Sequence, residues 1–294
     1  MLPKVSIIMN CFNGSKFLID SIDSVINQNY KNWELIFWDN ISTDNSKNLF
    51  LSYKDKRFKY FLSNKFTNLS TARNLAISKS KGELITFLDV DDMWSQNKLE
   101  EQVNFYNKYK YDLIYSNFYV LNQNKKKKVI YSKKNLPSGR ITNYLLKNYN
   151  IGLLTIMISS KVMKLYNFDE RYQIIGDFDL VLRVSKKFNI AYINKTLAIY
   201  RKHLLNDSVI NYDKQINELN EWYQYNKSNL CYVEYNNFIQ LVNKINYMNF
   251  LRYYNEKKYS KMLNMFIKQR GVSYKIKMVA FLFLPKIIIN YFRK

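Results

Sequence analysis

Cysteine is scarce in this chain: Cys11 and Cys231 are the only two in 294 residues. Thiols so far apart supply no disulfide framework and suit a reducing compartment. No apolar run reaches the length that spans a bilayer. The first strand-like run begins at Val5, with neither a basic leader nor a cleavage site before it, so no secretory signal is expected. No internal repeat is found. Acidic residues are few, 23 Asp plus Glu against 46 Lys plus Arg, for a formal net charge of +23. That excess favours anionic partners: nucleic acid, acidic headgroups or phosphorylated substrates. Lys, Asn, Ile and Tyr are abundant together, however, as an AT-rich genome also produces, so charge alone selects no partner. Apolar residues are plentiful, at 47% hydrophobic and 17% aromatic. They allow a sizeable core in one large domain or one domain with a smaller appendage.

Short apolar runs alternate with helical periodicity from the start. Residues 5–9 (VSIIM), 33–38 (WELIFW), 58–62 and 84–88 (LITFL) read as strands, and 112–116 as a fifth. Helical patterns cover 17–26, the stretch after the cap-like Ser42-Thr43-Asp44, a segment ending near Ser78 with Ser70 or Thr71 as cap, and about 96–109. Strands and helices alternating in this way predict an α/β fold with a largely parallel sheet. In such sheets ligands bind beyond the carboxyl ends of the strands. That rule brings residues 10–14, 39–40 and 89–92 to one edge. Residues 122–128 (NQNKKKK) read as a solvated basic hairpin tip. Mixed signals follow over 151–201, with a strand at 155–159 and a helix at 180–188. From about Asp213 onward the pattern is helical. The expected division is therefore a domain of residues 1–210 and a helical region of residues 211–294.

Three carboxylates within four residues, Asp89, Asp91 and Asp92, follow the strand at 84–88. Like charges this close repel unless a cation or donors compensate them. A hard divalent ion prefers such oxygen ligands and bridges them to substrate phosphates. Asp89 and Asp91, two apart on an extended segment, could face the same way. The alternative is an acidic helix N-terminus before Gln96, which accounts for one aspartate but not three.

The string 85–94 (ITFLDVDDMW) resembles the DxD region of family 2 glycosyltransferases of the bacterial surface-polysaccharide type, which have the GT-A fold. Five further segments resemble family motifs in the same order. These are 5–14 (VSIIMNCFNG), 38–46 (WDNISTDNS), 70–75 (STARNL) with Lys81-Gly82-Glu83, 176–183 with Asp177, and 200–203 with Asn206 and Ser208. The resemblance spans roughly residues 4–208. It implies a GT-A domain, Rossmann-like with a mostly parallel sheet flanked by helices, followed by a helical C-terminal appendage.

The resemblance also implies roles. Asn10, Phe12, Asn13, Asp39, Asn40, Arg73, Asp89, Val90 and Asp91 would bind the nucleotide sugar, with Asp39 or Asn40 against the base. Asp91 or Asp92, with His203, would hold Mn²⁺ or Mg²⁺, which stabilises charge growing on a diphosphate leaving group. Asp177 would be the general base that takes the acceptor hydroxyl's proton. Asp179 reads instead as a helix cap or as a partner of Arg183, four residues on. Arg73 by position alone could equally be a surface charge, and a lone histidine is often structural. The implied reaction is inverting transfer from a nucleotide-sugar donor to a saccharide or lipid-linked saccharide acceptor, by a protein kept in the cytoplasm.

Residues 278–292 (MVAFLFLPKIIINYF) are apolar with basic flanks, too short to span a membrane and interrupted by Pro285 and Lys286. They suit peripheral contact with anionic lipid on the inner face of the cytoplasmic membrane; a docked helix or an oligomer contact is the other reading. Two competing functions fit less well. A sugar-nucleotide pyrophosphorylase needs a Gly-rich phosphate loop that residues 11–15 (CFNGS) lack. A nucleic-acid-binding protein needs clustered basic residues and a recognisable motif, and neither is present, so no nucleic-acid partner is expected.

Overall fold

The computed structural model describes residues 2–229, 231–232 and 234–283. Its strands are β1 (Val5–Cys11), β2 (Trp33–Asp39), β3 (Phe58–Leu62), β4 (Leu84–Phe87), β5 (Met93–Trp94), β6 (Leu113–Asn122), β7 (Lys127–Ile130), β8 (Met157–Ser159) and β9 (Ile190–Lys202). The helices among them are α1 (Ser15–Ile26), α2 (Ser46–Ser52), α3 (Leu69–Ile77), α4 (Lys98–Tyr109), α5 (Thr142–Lys147), α6 (Ser160–Leu165), α7 (Gly176–Ser185) and α8 (Asp207–Ile210). Beyond them come α9 (Tyr212–Ser228), α10 (Phe238–Asn255), α11 (Tyr259–Lys268) and α12 (Val272–Phe283). Two compact units result, Met1–Thr142 with Asn150–Ile210, and Asn143–Tyr149 with Asn211–Lys294. Composition does not mark 143–149 as part of the second unit; Asn237 ties it there, donating from its backbone to Asn143 Oδ1 at 2.8 Å.

The first unit holds a nine-stranded sheet in the order β3-β2-β1-β4-β8-β6-β9-β5, with β7 on β6. The expected parallel sheet occupies one half: β3, β2, β1 and β4 are mutually parallel. Beyond β4 the sheet is mixed, since β8 runs antiparallel to both β4 and β6 while β6 and β9 are parallel. The 122–128 segment is a hairpin tip, pairing Asn122 with Lys127. β1 and β2 are buried along their whole length, as strands covered on both faces must be. Odd-numbered residues Val5, Ile7, Met9, Leu35 and Phe37 pack against Leu18, Ile22 and Val25 of α1. α3 is capped by Asn68, whose side chain accepts from the Thr71 amide, rather than by Ser70 or Thr71. α4 begins after Asn97, so the aspartates 89–92 cap no helix there.

One core group carries no opposite charge. Lys98 is fully buried, donating to Thr86 Oγ1 at 2.9 Å and Gln102 Oε1 at 2.7 Å, with Nζ 4.0 Å from the Trp94 ring centre. Burial pushes its amine well below the ordinary lysine range. The unfolded chain therefore binds one more proton than the folded chain at pH values between the folded and the unfolded pKa. Stability in that window must rise with pH, by up to about 1.4 kcal/mol per pH unit, until the unfolded value near ~10.4 is reached. Urea unfolding at about pH 8 and about pH 10 should show a larger gain for wild type than for Lys98→Met. Equal gains would mean that Lys98 keeps its charge when buried.

Candidate active site

Because β1, β2 and β4 are parallel neighbours, their carboxyl ends open on one edge. The loops that leave them are tied to each other. Asn13 Oδ1 accepts from the Thr43 amide at 2.8 Å, and the Gly14 amide donates to Ser46 Oγ at 3.0 Å. Asp44 caps two helices at once, accepting from Ser15, the first residue of α1, at 2.9 Å and from Ser46, the first of α2, at 3.0 Å. Asn13 and Ile41 both adopt left-handed backbone, with φ of 54° and 65°. For a β-branched residue such as Ile41 that conformation is strained. Gly14 cannot be replaced cheaply, since a Cβ there would sit 2.6 Å from Val90 Cγ2. Val90 thus packs under the first loop.

The three aspartates occupy a turn, closed by the Asp92 amide donating to the Asp89 carbonyl at 3.1 Å, rather than the extended segment expected. Each meets a different environment. Asp89 is 41% exposed and pairs with the buried Arg73 guanidinium at 3.2 Å. Asp91 Oδ2 lies 2.9 Å from His203 Nε2 and accepts from Asn206 Nδ2 at 3.1 Å. Asp92 is 2% exposed and turns inward, where its Oδ1 accepts the Arg201 backbone N–H at 2.8 Å. Burial and the charge of Asp89 raise the Asp91 carboxyl, against the lowering effect of His203. Burial and both neighbouring aspartates push Asp92 well above the carboxylate range.

The Asp92 carboxylate is engaged inside the protein. His203 accepts the Leu205 amide at Nδ1 (3.2 Å), which places the proton on Nε2, where it is donated to Asp91. In this tautomer His203 orients Asp91, and ligating a cation through Nε2 would cost the Leu205 bond. Among the described residues, no three His, Cys, Asp or Glu side chains gather as a cation cage.

The hub that sequence reasoning passed over is Arg201. Its Nε donates to the Asp91 carbonyl at 2.9 Å, and one terminal nitrogen donates to Asp20 of α1 at 2.6 Å. Its guanidinium also lies 4.6 Å from the Phe17 ring centre. The signal was its place two residues before His203, in a segment already singled out.

Around the second strand end the side chains are committed within the protein. Asp39 is 1% exposed, accepting from the Ser42 amide at 2.7 Å and the Tyr60 hydroxyl at 2.7 Å. Asn40 is clamped to Thr67, donating to its carbonyl at 2.8 Å and accepting from its amide at 3.2 Å. Both tie neighbouring loops together at this strand end. Asn10, by contrast, has a buried Nδ2 with no partner, and so does Trp38 at Nε1. The two are register partners on β1 and β2 and share one face. Phe12 is 52% exposed and meets Phe66 edge to face at 4.8 Å.

Asp177 lies in the first turn of α7, half-buried. The start of α7 presses on α3: a Cβ on Gly176 would fall 2.5 Å from Ser70 Oγ, which donates to the Tyr172 carbonyl. α3 therefore fixes both Arg73 and the segment bearing Asp177. Asp179 pairs with Arg183 at 2.7 Å.

Residues 6–175 match the family model described as Glycosyl transferase family 2. An Escherichia coli protein, UDP-Glc:alpha-D-GlcNAc-diphosphoundecaprenol beta-1,3-glucosyltransferase WfgD, is 35% identical, covering 71% of this chain and 80% of its own. A second, WfaP, carries the same activity name and organism and is 31% identical over 68% of this chain and 77% of its own. Among solved structures, S. aureus TarS 1-349 in complex with UDP is similar in fold, with a TM-score of 0.58 and 15% identity, over 95% of this chain and 91% of that one.

The double cap is testable. Burial raises the Asp44 carboxyl, but the hydrogen bonds from Ser46 and Ser15 outweigh it and hold it below the usual aspartate range. Asp44→Asn leaves one good acceptor for two helix starts and should cost about 0.5–2 kcal/mol in urea unfolding at neutral pH. A depressed carboxyl stabilises above the unfolded value near ~3.9 and loses that effect as pH falls through its folded value. The gap to wild type should therefore close below about pH 4. A gap unchanged by acid would show that charge on Asp44 contributes nothing.

Proposed function

The chain belongs to glycosyl transferase family 2, and on that premise we propose that it moves a sugar from a UDP-activated donor to a lipid-linked saccharide. The transfer inverts the anomeric carbon and serves assembly of a bacterial surface polysaccharide. One observation carries the reading: Asp91, oriented by His203 and Asn206, shares a strand-end edge with the Asp89–Arg73 pair. The UDP named for the relatives and for the TarS complex supports the choice of nucleotide.

The Asp91 carboxylate would hold a hard divalent ion, Mn²⁺ or Mg²⁺. Its Oδ2 is already occupied by His203 and Asn206, the outer-shell support that ligating carboxylates commonly have. The remaining ligands would come from the diphosphate and water, as is usual for these ions. When bound, such an ion neutralises charge on the departing diphosphate.

The remaining work falls to the chain's own groups. Arg73, fixed over Phe168 and paired with Asp89, offers positive charge to the diphosphate while Asp89 accepts from ribose hydroxyls. Phe12 gives the base an apolar face. Asp177 takes the proton from the attacking acceptor hydroxyl. One base is enough for direct displacement, unlike the carboxylate pair of hydrolases.

Membrane contact belongs to the second unit. Leu263 and Ile267, four apart on α11, are 54% and 68% exposed, and Val272 and Ile276 on α12 are 71% and 64% exposed. Lys261, Lys275 and Lys277 lie on the same helices, a combination suited to an anionic lipid surface near a lipid-linked acceptor. Met278 and Phe281 instead pack with Phe250 and Leu251; residues 284–292 of the apolar tail fall outside the described residues. Among the described residues no helix is long and apolar enough to cross a membrane.

Transfer assayed with a panel of nucleotide sugars should be supported by UDP-sugars with Mn²⁺ and abolished by EDTA or by Asp91→Ala. Asp177→Asn should keep UDP affinity while transfer falls about 10²–10⁴-fold; loss of UDP affinity instead would remove Asp177 from the role of base. His203→Gln, which retains a donor toward Asp91, should keep more activity than His203→Ala. In flotation with vesicles containing phosphatidylglycerol, wild type should bind and the pair Ile267→Glu, Ile276→Glu should not. Equal flotation would refute the lipid contact.

A further inference from the structure

The second unit contains a groove of about 1050 Å³ between α9 and α10, closed at one side by α11. That volume exceeds what one sugar ring requires and reaches the upper range of ligand pockets, ~1,000 Å³. Among the described residues its charge is lopsided: Lys227, Arg252, Lys268 and Arg270 line it against one carboxylate, Glu221. Arg252 is built in rather than loose. One terminal nitrogen donates to Asn217 Oδ1 at 2.6 Å and the other to Asn249 Oδ1 at 3.0 Å. Its Nε is buried without a hydrogen-bond partner, the closest carboxylate oxygen being Glu256 at 4.0 Å.

The rest of the wall combines amides and aromatic rings with the apolar side chains of Ile239, Val242, Ile245 and Met265. Asn220 and Asn249 bond each other across α9 and α10 and brace the floor, Asn249 Nδ2 to Asn220 Oδ1 at 3.0 Å. Three further carboxamides, Gln224, Asn236 and Asn246, line the groove and make no hydrogen bond among the described residues. Each offers two donors and an acceptor, which is what vicinal hydroxyls pair with. Tyr223 and Phe238 stand 5.7 Å apart, and Tyr235 and Tyr253 add rings with polar tips suited to a partly wet ligand. Free amides for hydroxyls, ring faces for C–H surfaces, and an excess of cations define one ligand chemistry.

We propose that this groove binds a saccharide chain bearing anionic groups, phosphate or carboxylate. The binding stands apart from the transfer reaction: none of its residues belongs to the proposed active site. Phosphate and carboxylate share the same charge-assisted contacts to Arg252 and the lysines.

The test uses the full chain and calorimetric titration. The probes are a hyaluronan hexasaccharide, a teichoic-type glycerol-phosphate oligomer carrying sugars, neutral chitohexaose and a single-stranded oligonucleotide of similar charge. At least one anionic saccharide should bind, with chitohexaose weaker by about tenfold or more. Lys227→Gln with Lys268→Gln should weaken the anionic saccharide about tenfold, and Asn246→Leu should weaken it with the charges intact. Melting temperatures equal to wild type will show that both variants fold. Asp91→Ala should bind the saccharide as wild type does, so loss of transfer and loss of groove binding are read separately. Unchanged affinity in both groove variants, equal binding of the neutral probe, or an oligonucleotide that binds more tightly and is weakened by the same variants would each overturn the proposal.

Discussion

The Asp92 carboxylate accepts the Arg201 backbone N–H at 2.8 Å, while the Arg201 side chain reaches back to the Asp91 carbonyl and across to Asp20. This reciprocal clamp joins the β4 turn, the last part of β9 and α1, three pieces distant in sequence. A carboxylate removed from water costs several kcal/mol unless donors and a cation compensate it, and losing one partner of such a set leaves the other stranded. Burial, Asp91 and Asp89 push the Asp92 carboxyl up, and Arg201 opposes them only in part. Asp91 owes its outward position to this inward anchor one residue away. His203 is carried to Asp91 because it follows Arg201 by two residues, and Asn206 closes the arrangement by accepting the His203 amide at 2.6 Å.

The same logic separates residues that look alike in sequence. Three aspartates in four positions serve as a partner for a buried guanidinium, an oriented acceptor and an interior anchor. Asp39 and Asn40 bond neighbouring loops, and Asn13 does so through Oδ1. Among the described residues, capacity remains on Asn10 Nδ2, the Arg73–Asp89 pair and one oxygen of Asp91.

The legible parts of the fold were those decided locally. β1, β2 and β4 are short, largely apolar and followed by polar turns, so both the strands and their common edge could be read directly. β5 and β8 have two and three residues, and only partners distant in sequence make them strands. β9, at thirteen residues, hid behind an irregular pattern of buried and exposed positions that its bulged pairing with β6 explains. The acidic cluster announced itself, but which aspartate would turn inward depended on Arg201, over a hundred residues away. Asn68 rather than Ser70 caps α3 because Ser70 is drawn to the Tyr172 carbonyl, a contact no local pattern reveals. The C-terminal helices were visible as helices; the amide-lined groove between them was not, because it needs α9 and α10 side by side.

Ile41 extends this picture to the backbone. A branched side chain at φ 65° costs of the order of 1–3 kcal/mol and persists only where flanking bonds impose it. Those bonds come from Ser42 to Asp39, from Tyr60 to Asp39 and from Thr67 to Asn40, so β3 and the segment after it must already be in place. The loop beside the site therefore keeps its strained conformation only while those partners hold it. A glycine at this position would relax the backbone and remove the tension, leaving a steadier protein whose strand-end edge is less sharply defined.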